Sequence, residues 1–364
     1  MLVNSQQYRT IWVNKQSASA TRSVSIIDQA KLPHVFEVAH INNVAQMITA
    51  IKTMQVRGAP LIGAAAAYGM ALAMQQDSSD HHLNDIATQL INSRPTAVNL
   101  KWAVQRLLNR LAPLSAADRN QVAWAEAAAI CEEDVLLNQS IAQHGLVLIN
   151  ALHKNKALPN KVLNILTHCN AGWLATVDFG TALAPIYAAH DAGLNVHVWV
   201  DETRPRNQGA ALTAWELGQH GVPHTVITDN AGGHLMQQGL VDIVIVGADR
   251  VTSTGDVCNK IGTYLKALAA FDNNIPFYAA VPSPTIDWLI SNNFFEIEIE
   301  QRHGDEVAYI QGLAADGSVQ SVRVMPIESN TANPGFDVTP ARLVTGIITE
   351  QGLFTPSELK QLVS

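Results

Sequence analysis

From about residue 160 onward, short runs that are apolar on both faces alternate with helix-like stretches, and this alternation limits the fold more than any other feature. VLNILTH (162–168), NVHVWVDE (195–202), PHTVITD (223–229), VDIVIVGAD (241–249) and PFYAAVP (276–282) read as strands. TALAPIYAAHDAG, GAALTAWELGQHG, KIGTYLKALAAFDN and PARLVTGIITEQGLF read as helices. A strand without a polar face must be covered on both sides, so the pattern predicts a parallel, doubly wound, Rossmann-like sheet with helices on each face. Ligands bind such sheets at the carboxyl ends of the strands. Here those ends are polar: Thr167-His168-Cys169-Asn170, Asp201-Glu202-Thr203-Arg204, Thr228-Asp229-Asn230 and Gly247-Ala248-Asp249-Arg250. The active site is expected on that rim.

The N-terminal part follows helical periodicity instead. INNVAQMITAIKTM (41–54), APLIGAAAAYGMALAMQQ (59–76) and NLKWAVQRLLNRLAPL (99–114) repeat apolar residues at helical spacing, and residues 115–152 read as one long helix. Asn99 stands where a cap would precede Leu100, and TIWVN and SVSIID suggest a small hairpin or edge sheet. ALHKNKALPNK (151–161) is polar and proline-bearing, a candidate linker. The fold class is therefore α/β: a mainly helical domain over 1–150, then a Rossmann-like catalytic domain over 151–364.

Composition narrows the function. Hydrophobic residues make up 48% and charged residues 15%, as in a compact chain. A net charge of −8 argues against a nucleic-acid surface but not against an anionic small molecule, which needs only a local cluster of cations. Three scattered cysteines, Cys131, Cys169 and Cys258, without a CxxC pair, support neither a disulfide framework nor a structural zinc site. MLVNSQQYRTIWVNKQ lacks a signal peptide's apolar core, and Ala59–Met74 falls short of the ~20 residues of a membrane span. The expected location is cytoplasmic, with no membrane partner.

A lone cysteine is ordinarily a small buried hydrophobe. Cys169, however, follows a strand and precedes Asn170-Ala171-Gly172, where free backbone N–H groups would favour a thiolate. Asp249 ends the most apolar strand behind Gly247 and Ala248, and a carboxyl against apolar walls stays protonated and serves as a general acid. Its alternative is an ion pair with Arg250, although neighbours on a strand face opposite ways. Asn259-Lys260 is read as opening a helix, a natural anion site. Gln208-Gly209 resembles that arrangement, with Gln208 placed to bond a sugar hydroxyl; Asp201, Glu202, Arg204 and Arg206 form the alternative, a salt-bridge network across the same loop. Arg57-Gly58-Ala59-Pro60 precedes the alanine-rich helix, and the extended backbone expected before a proline leaves the Arg94 side chain free. Arg57, Arg94 and Lys260 would together cradle a phosphate if the two halves face each other across a cleft.

Seven segments in unbroken order resemble the methylthioribose-1-phosphate isomerases, within the wider initiation-factor-2B-like superfamily: VRGAPLIGAAAAYG, SRPTAVNLKWAVQR, THCNAGWLATVDFGTALAPI, VDETRPRNQGAALTAWEL, TDNAGGHLM, VGADRVTSTGDVCNKIGTYLKALAA and NPGFDVTPARLVTGIITEQG. The resemblance implies an aldose–ketose isomerase of methionine salvage, converting 5-methylthioribose 1-phosphate to 5-methylthioribulose 1-phosphate with no metal and no cofactor. It implies Cys169 and Asp249 as catalytic residues, with Arg57, Gly58, Ala59, Arg94, Gln208, Asn259 and Lys260 as substrate contacts, and a homodimer. The family carries arginine where this chain has Ala211, and writes NGDVANK where this chain has Thr254 to Lys260 with Thr254 and Cys258 substituted. Isomerisation of another pentose phosphate (5-deoxyribose 1-phosphate or ribose 1,5-bisphosphate) and a non-catalytic regulatory role within the superfamily are the alternatives. The pocket is expected to be dry, with Trp173 and the N-terminal domain as its cover.

Overall fold

The computed structural model describes residues 1–14, 21–155, 162–290 and 297–363. Near the N-terminus, Ile11–Asn14 (β1), Ser23–Ile27 (β2) and Val38–Ile41 (β3) form an antiparallel meander, one strand more than the expected hairpin. Helices Val44–Lys52 (α1), Ala59–Gln76 (α2), Asp80–Ser93 (α3), Val98–Leu111 (α4) and Ala116–Asn155 (α5) follow. Asn43 caps α1 by accepting from the Gln46 N–H, and Ser79 caps α3 by accepting from the His82 N–H. Ala97, not Asn99, precedes α4: Asn99 lies inside its first turn. Almost every side chain of α2 is buried, as expected of a helix apolar all round, and its small residues let neighbours approach. A Cβ on Gly63 would lie 3.0 Å from the Asn99 carbonyl of α4.

α5 serves two cores. Ala123, Trp124, Ala127 and Ile130 pack with α2 in the first, and Ile141 and Ile149 join the sheet's core further along. Ala116–Lys154 is long and apolar enough, by length and composition alone, to cross a membrane; here many of its apolar positions go to these cores, while Leu136 and Val147 stay exposed. Of the polar stretch 151–161, the helix takes residues through Asn155, and 156–161 lie outside the described residues.

The main sheet is built from Leu163–Thr167 (β4), Val196–Asp201 (β5), His224–Ile227 (β6), Ile243–Val246 (β7), Phe277–Ala280 (β8), Gly346–Thr349 (β9) and Gly352–Phe354 (β10). Their order is β10-β9-β8-β7-β4-β5-β6, parallel throughout except for the antiparallel edge β9–β10. The first six strands in chain order thus lie as 3-2-1-4-5-6, the dinucleotide-fold arrangement, whose winding reverses between β4 and β7. Every residue of β7 is buried, as its unbroken IVIV run requires. Ala184–Asp191 (α6), Ala214–His220 (α7), Ala231–Gln237 (α8) and Thr263–Asp272 (α9) supply helices to this half.

Two expected helices are partly strand. In PARLVTGIITEQGLF only Ala341–Leu343 make a helical turn; the rest supplies β9 and β10, because Ile347 and Ile348 are buried on opposite faces. Lys260 does not open a helix either. Asn259 and Lys260 belong to an antiparallel strand, Val257–Lys260, in a smaller sheet, and α9 starts only after Gly262 turns the chain at φ +103°.

Candidate active site

Where the sheet's winding reverses, the loops leaving β4 and β7 diverge and open a crevice. His168-Cys169-Asn170 leaves β4 and Gly247-Ala248-Asp249 leaves β7, so the two candidate catalytic groups flank one small chamber of about 30 Å³. The N-terminal half closes it with Arg57, Gly58 and Ala59, and Asn259 completes the wall. Gly58 sits at φ +95°, and a Cβ there would fall 2.5 Å from the Ala175 carbonyl oxygen, so the approach of α2 to the β4 loop needs glycine. Trp173 is no cover: its side chain is wholly buried in the sheet's core, beside Trp215, because the turn Trp173–Ala175 points inward.

Cys169 adopts φ +64°, uncommon without glycine. Its N–H donates to Thr203 Oγ1 at 2.7 Å, and its carbonyl accepts from Thr213 Oγ1 at 2.7 Å, so the loops after β4 and β5 hold the turn. The thiol lies 3.6 Å from Gln208 Oε1. Burial pushes the thiol up, opposed by Arg57, by Lys260 and by the Asn170 N–H, while Asp249 adds to the rise. Burial also pushes the Asp249 carboxyl up, against Arg94, Arg57 and Lys260. Asp249 is half-buried because it borders the chamber. It makes no pair with Arg250, which bonds Asp287 at 3.5 Å and the Thr96 carbonyl at 3.2 Å. Burial lowers the Lys260 ammonium, which lies in the field of Cys169, Glu306, Arg302 and Asp249.

The cations are themselves positioned. The Arg57 guanidinium donates to both Asn170 Oδ1 and, at 2.8 Å, the Asn170 carbonyl, while the Asn170 amide donates to the buried Glu216. Burial raises Glu216 to about 7 despite that donation. Arg94 pairs with Glu300 at 3.3 Å. Glu300 also takes Arg302 at 2.7 Å, Arg302 takes Glu306 at 2.6 Å, and Glu306 takes Arg206 at 3.1 Å. The expected network within the β5 loop is thus redrawn: Arg204 bonds the carbonyls of Pro205 and Val307, Arg206 reaches across to Glu306, and Asp201 turns inward to His168 and Lys266.

Beyond the chamber lies a cleft of about 430 Å³, lined by Met54, Gln208, Ala211, Leu212, Arg206 and Glu306, among others, and sharing Arg57 with the chamber. A sugar phosphate exceeds the chamber alone, whose free space suits one water. Its reacting carbons would have to lie inside with the remainder in the cleft. Thr203 and Asp229 were read only as polar strand ends, and Glu300 and Arg302 were not singled out in the sequence. The one available signal was the density of charges in EIEIEQRHGDE (296–306) within a chain of low charge content.

Among the described residues, donor atoms of His168, Asp201 and Asp229 lie within 4.8 Å of one another, near enough to share one ion. The Lys266 ammonium already occupies that neighbourhood, 3.2 Å from Asp201 Oδ2 and donating to the Asp229 carbonyl. A divalent ion would have to displace it.

Residues 55–356 match the initiation factor 2 subunit family. A methylthioribose-1-phosphate isomerase of Brucella anthropi is 59% identical over 98% of this chain and 97% of its own, and one of Rhizobium meliloti is 58% identical with the same coverage. The crystal structure of 5-methylthioribose 1-phosphate isomerase from Pyrococcus horikoshii superposes with a TM-score of 0.80 at 38% identity, covering 98% of this chain and 96% of that one. The translation initiation factor eIF-2B subunit delta from A. fulgidus superposes with a TM-score of 0.77, also at 38% identity, covering 97% and 100%.

Proposed function

This chain belongs to the initiation factor 2 subunit family, among its methylthioribose-1-phosphate isomerases, and from that premise we propose that it converts 5-methylthioribose 1-phosphate to 5-methylthioribulose 1-phosphate in methionine salvage. The observation that carries the reading is the placement of a thiol and a carboxyl, both pushed up by burial, on one chamber at the reversal of the sheet. Phosphate on the anomeric oxygen prevents ordinary opening to an aldehyde. The ring must open with the phosphate still attached, and hydrogen must then move from C2 to C1.

Asp249, held protonated, donates to the ring oxygen as the C1–O bond breaks, and that oxygen becomes the C4 hydroxyl. Cys169, as the thiolate that Arg57, Lys260 and the Asn170 N–H favour, takes the proton from C2 to leave an enol, and returns it to C1 as the C2 hydroxyl becomes a carbonyl. The proton released from that hydroxyl goes back to Asp249, so both groups end as they began. Burial makes the thiolate a stronger base and favours the protonated form of Asp249, and the two titrate as a coupled pair. Arg57, Arg94 and Lys260 hold the phosphate, Gln208 faces a sugar hydroxyl, and Gly58, Ala59 and Asn259 shape the wall. Fixing the phosphate places the reacting carbons between acid and base.

The division at residue 150, a homodimer and a cytoplasmic location belong to the same proposal. Three unpaired cysteines support the location, and the exposed Leu136 and Val147 on α5 offer apolar surface for a second copy. Incubation with the aldose 1-phosphate should yield the ketose 1-phosphate; ligand binding without turnover would return the chain to the regulatory alternative. Run in heavy water, the shuttle incorporates deuterium at C1, whereas a direct hydride shift incorporates none.

A further inference from the structure

His168 leaves β4 one residue before the thiol and is buried. Its Nδ1 is 2.7 Å from Asp201 Oδ2, and its Nε2 is 2.8 Å from the Ile261 carbonyl oxygen. A carbonyl only accepts, so Nε2 carries a hydrogen. The same Asp201 oxygen also lies 3.2 Å from the Lys266 ammonium. Both ring nitrogens are thus engaged, one by the Asp201 carboxyl and one by the Ile261 carbonyl.

The surroundings are fitted to this ring. A Cβ on Gly262 would fall 2.9 Å from its Cε1 and 3.0 Å from its Nε2, so the turn Lys260-Ile261-Gly262 closes on the ring face only because residue 262 is glycine. The other charges that face the ring are committed elsewhere. Asp229 takes the Thr203 and Arg204 N–H groups at 2.7 and 2.8 Å. Asp337 takes those of Gly262 and Tyr264 at 2.7 and 3.1 Å. Around the neighbouring thiol stand Arg57, Lys260 and Asp249. His168 therefore joins three strand ends: its own, which continues into Cys169; that of β5, through Asp201; and that of Val257–Lys260, through the carbonyl next after Lys260.

We propose that His168 is a positioning residue of the isomerisation, its ring tying the strand end that carries Cys169 to the one that carries Lys260, so that thiol and ammonium meet the same substrate. The reaction named here rests on the reading above; the brace itself rests on geometry alone. Two variants test the brace from its two sides. His168→Gln removes the ring, and Asp201→Ala removes the β5 carboxyl whose single oxygen takes both Nδ1 and Lys266.

Each variant is compared with wild type by thermal unfolding, by kcat and KM for the aldose phosphate, and by the pH profile of Cys169 alkylation with iodoacetamide, located by peptide mass spectrometry. Releasing the Cys169 strand end from the one that carries Lys260 draws the thiol away from a cation that favours its thiolate, so the alkylation profile should move upward by about one pH unit in both variants. His168→Gln should also raise KM and lower kcat/KM by about 100-fold, the scale of a 1 Å misplacement. A folded variant with an unmoved alkylation profile and kcat/KM within threefold of wild type overturns the proposal. If His168→Gln does not fold, the Asp201→Ala profile decides alone. If the wild-type chain turns nothing over, the alkylation profiles still test the brace, so its failure and that of the isomerase reading are told apart.

Discussion

The chamber and the rim of the cleft outside it treat carboxyl groups in opposite ways. At the chamber and directly behind it, burial prevails: Asp249 is raised and Glu216 is pushed to about 7. At the rim, burial works against Glu306 too, but the Arg302 guanidinium, Asn333 and Arg206 outweigh it and hold the acid down to about 2. The difference lies in partners as well as depth. A carboxyl supplied with matched cations stays charged and serves as structure, whereas one buried without an ion pair of its own is pushed toward its protonated form. On the proposed mechanism the chamber moves protons, while the rim holds its shape.

Removing the proton carriers tests this most severely. Asp249→Asn keeps the size of the side chain and removes the titratable proton, so kcat should fall by about 10²–10⁴-fold while substrate binding, measured by calorimetry, stays near wild type. Ordinary turnover in that variant would take Asp249 out of the chemistry. Cys169→Ala should lose a similar factor. Cys131→Ala should not, because Cys131 is buried in the helical core and is pushed to about 12 by that burial.

What could be read in advance follows from where each group's neighbours lie along the chain. Cys169 and Asp249 were legible because a doubly apolar strand announces its own end, and the rim of a parallel sheet is where ligands go. Arg57-Gly58-Ala59-Pro60 was legible because glycine and proline dictate backbone before any packing does. Lys260 was misplaced onto a helix because VCNK is too short to show a period, and its strand exists only through pairing with Phe336–Thr339, some eighty positions away. LVTGIIT fitted a helix because apolar residues at 343, 344, 347 and 348 satisfy helical spacing as well as a buried strand. The rim's local pairs, Glu300–Arg302 and Arg302–Glu306, lay within the charge-dense EIEIEQRHGDE, but its anchoring pairs join 94 with 300 and 206 with 306, and no window of sequence contains both members of those.

The contrast also predicts opposite pH limbs of stability. Asp134, buried in α5 and accepting the Val177 N–H at 2.7 Å, is pushed to about 7 by burial, like Glu216. Folding raises these pKa values, so the folded chain holds protons that the unfolded chain has already lost. Their contribution is therefore full below about pH 4 and disappears as pH rises through about 7. Glu306 is lowered, so its contribution is present above about pH 4.5 and is lost as pH falls toward about 2. Chemical denaturation of Asp134→Asn should show a flatter decline between pH 4 and 7, by up to about 1.4 kcal/mol per pH unit, and Glu306→Gln should flatten the acid limb instead. Identical pH profiles for wild type and both variants would erase the distinction drawn between carboxyls raised by burial and those lowered by matched cations.

The smallest effect is expected where the two regions meet. Glu300 holds Arg94 at 3.3 Å and Arg302 at 2.7 Å, and it also raises Asp249. Its carboxylate stands where a substrate phosphate would otherwise claim Arg94, so the two compete. Glu300→Gln removes the competitor but leaves Arg302 paired with Glu306 at 2.6 Å, which keeps the rim in place. The Arg94–Glu300 pair is partly exposed and long, and such pairs contribute up to about 1 kcal/mol. The variant's KM should therefore fall by no more than about fivefold, with kcat nearly unchanged. Because the lost pair is screened by salt, the gain should shrink as ionic strength rises toward about 1 M. A KM raised by tenfold would mean that Glu300 orients Arg94 for the phosphate rather than competing with it, and the rim would then belong to the catalytic site.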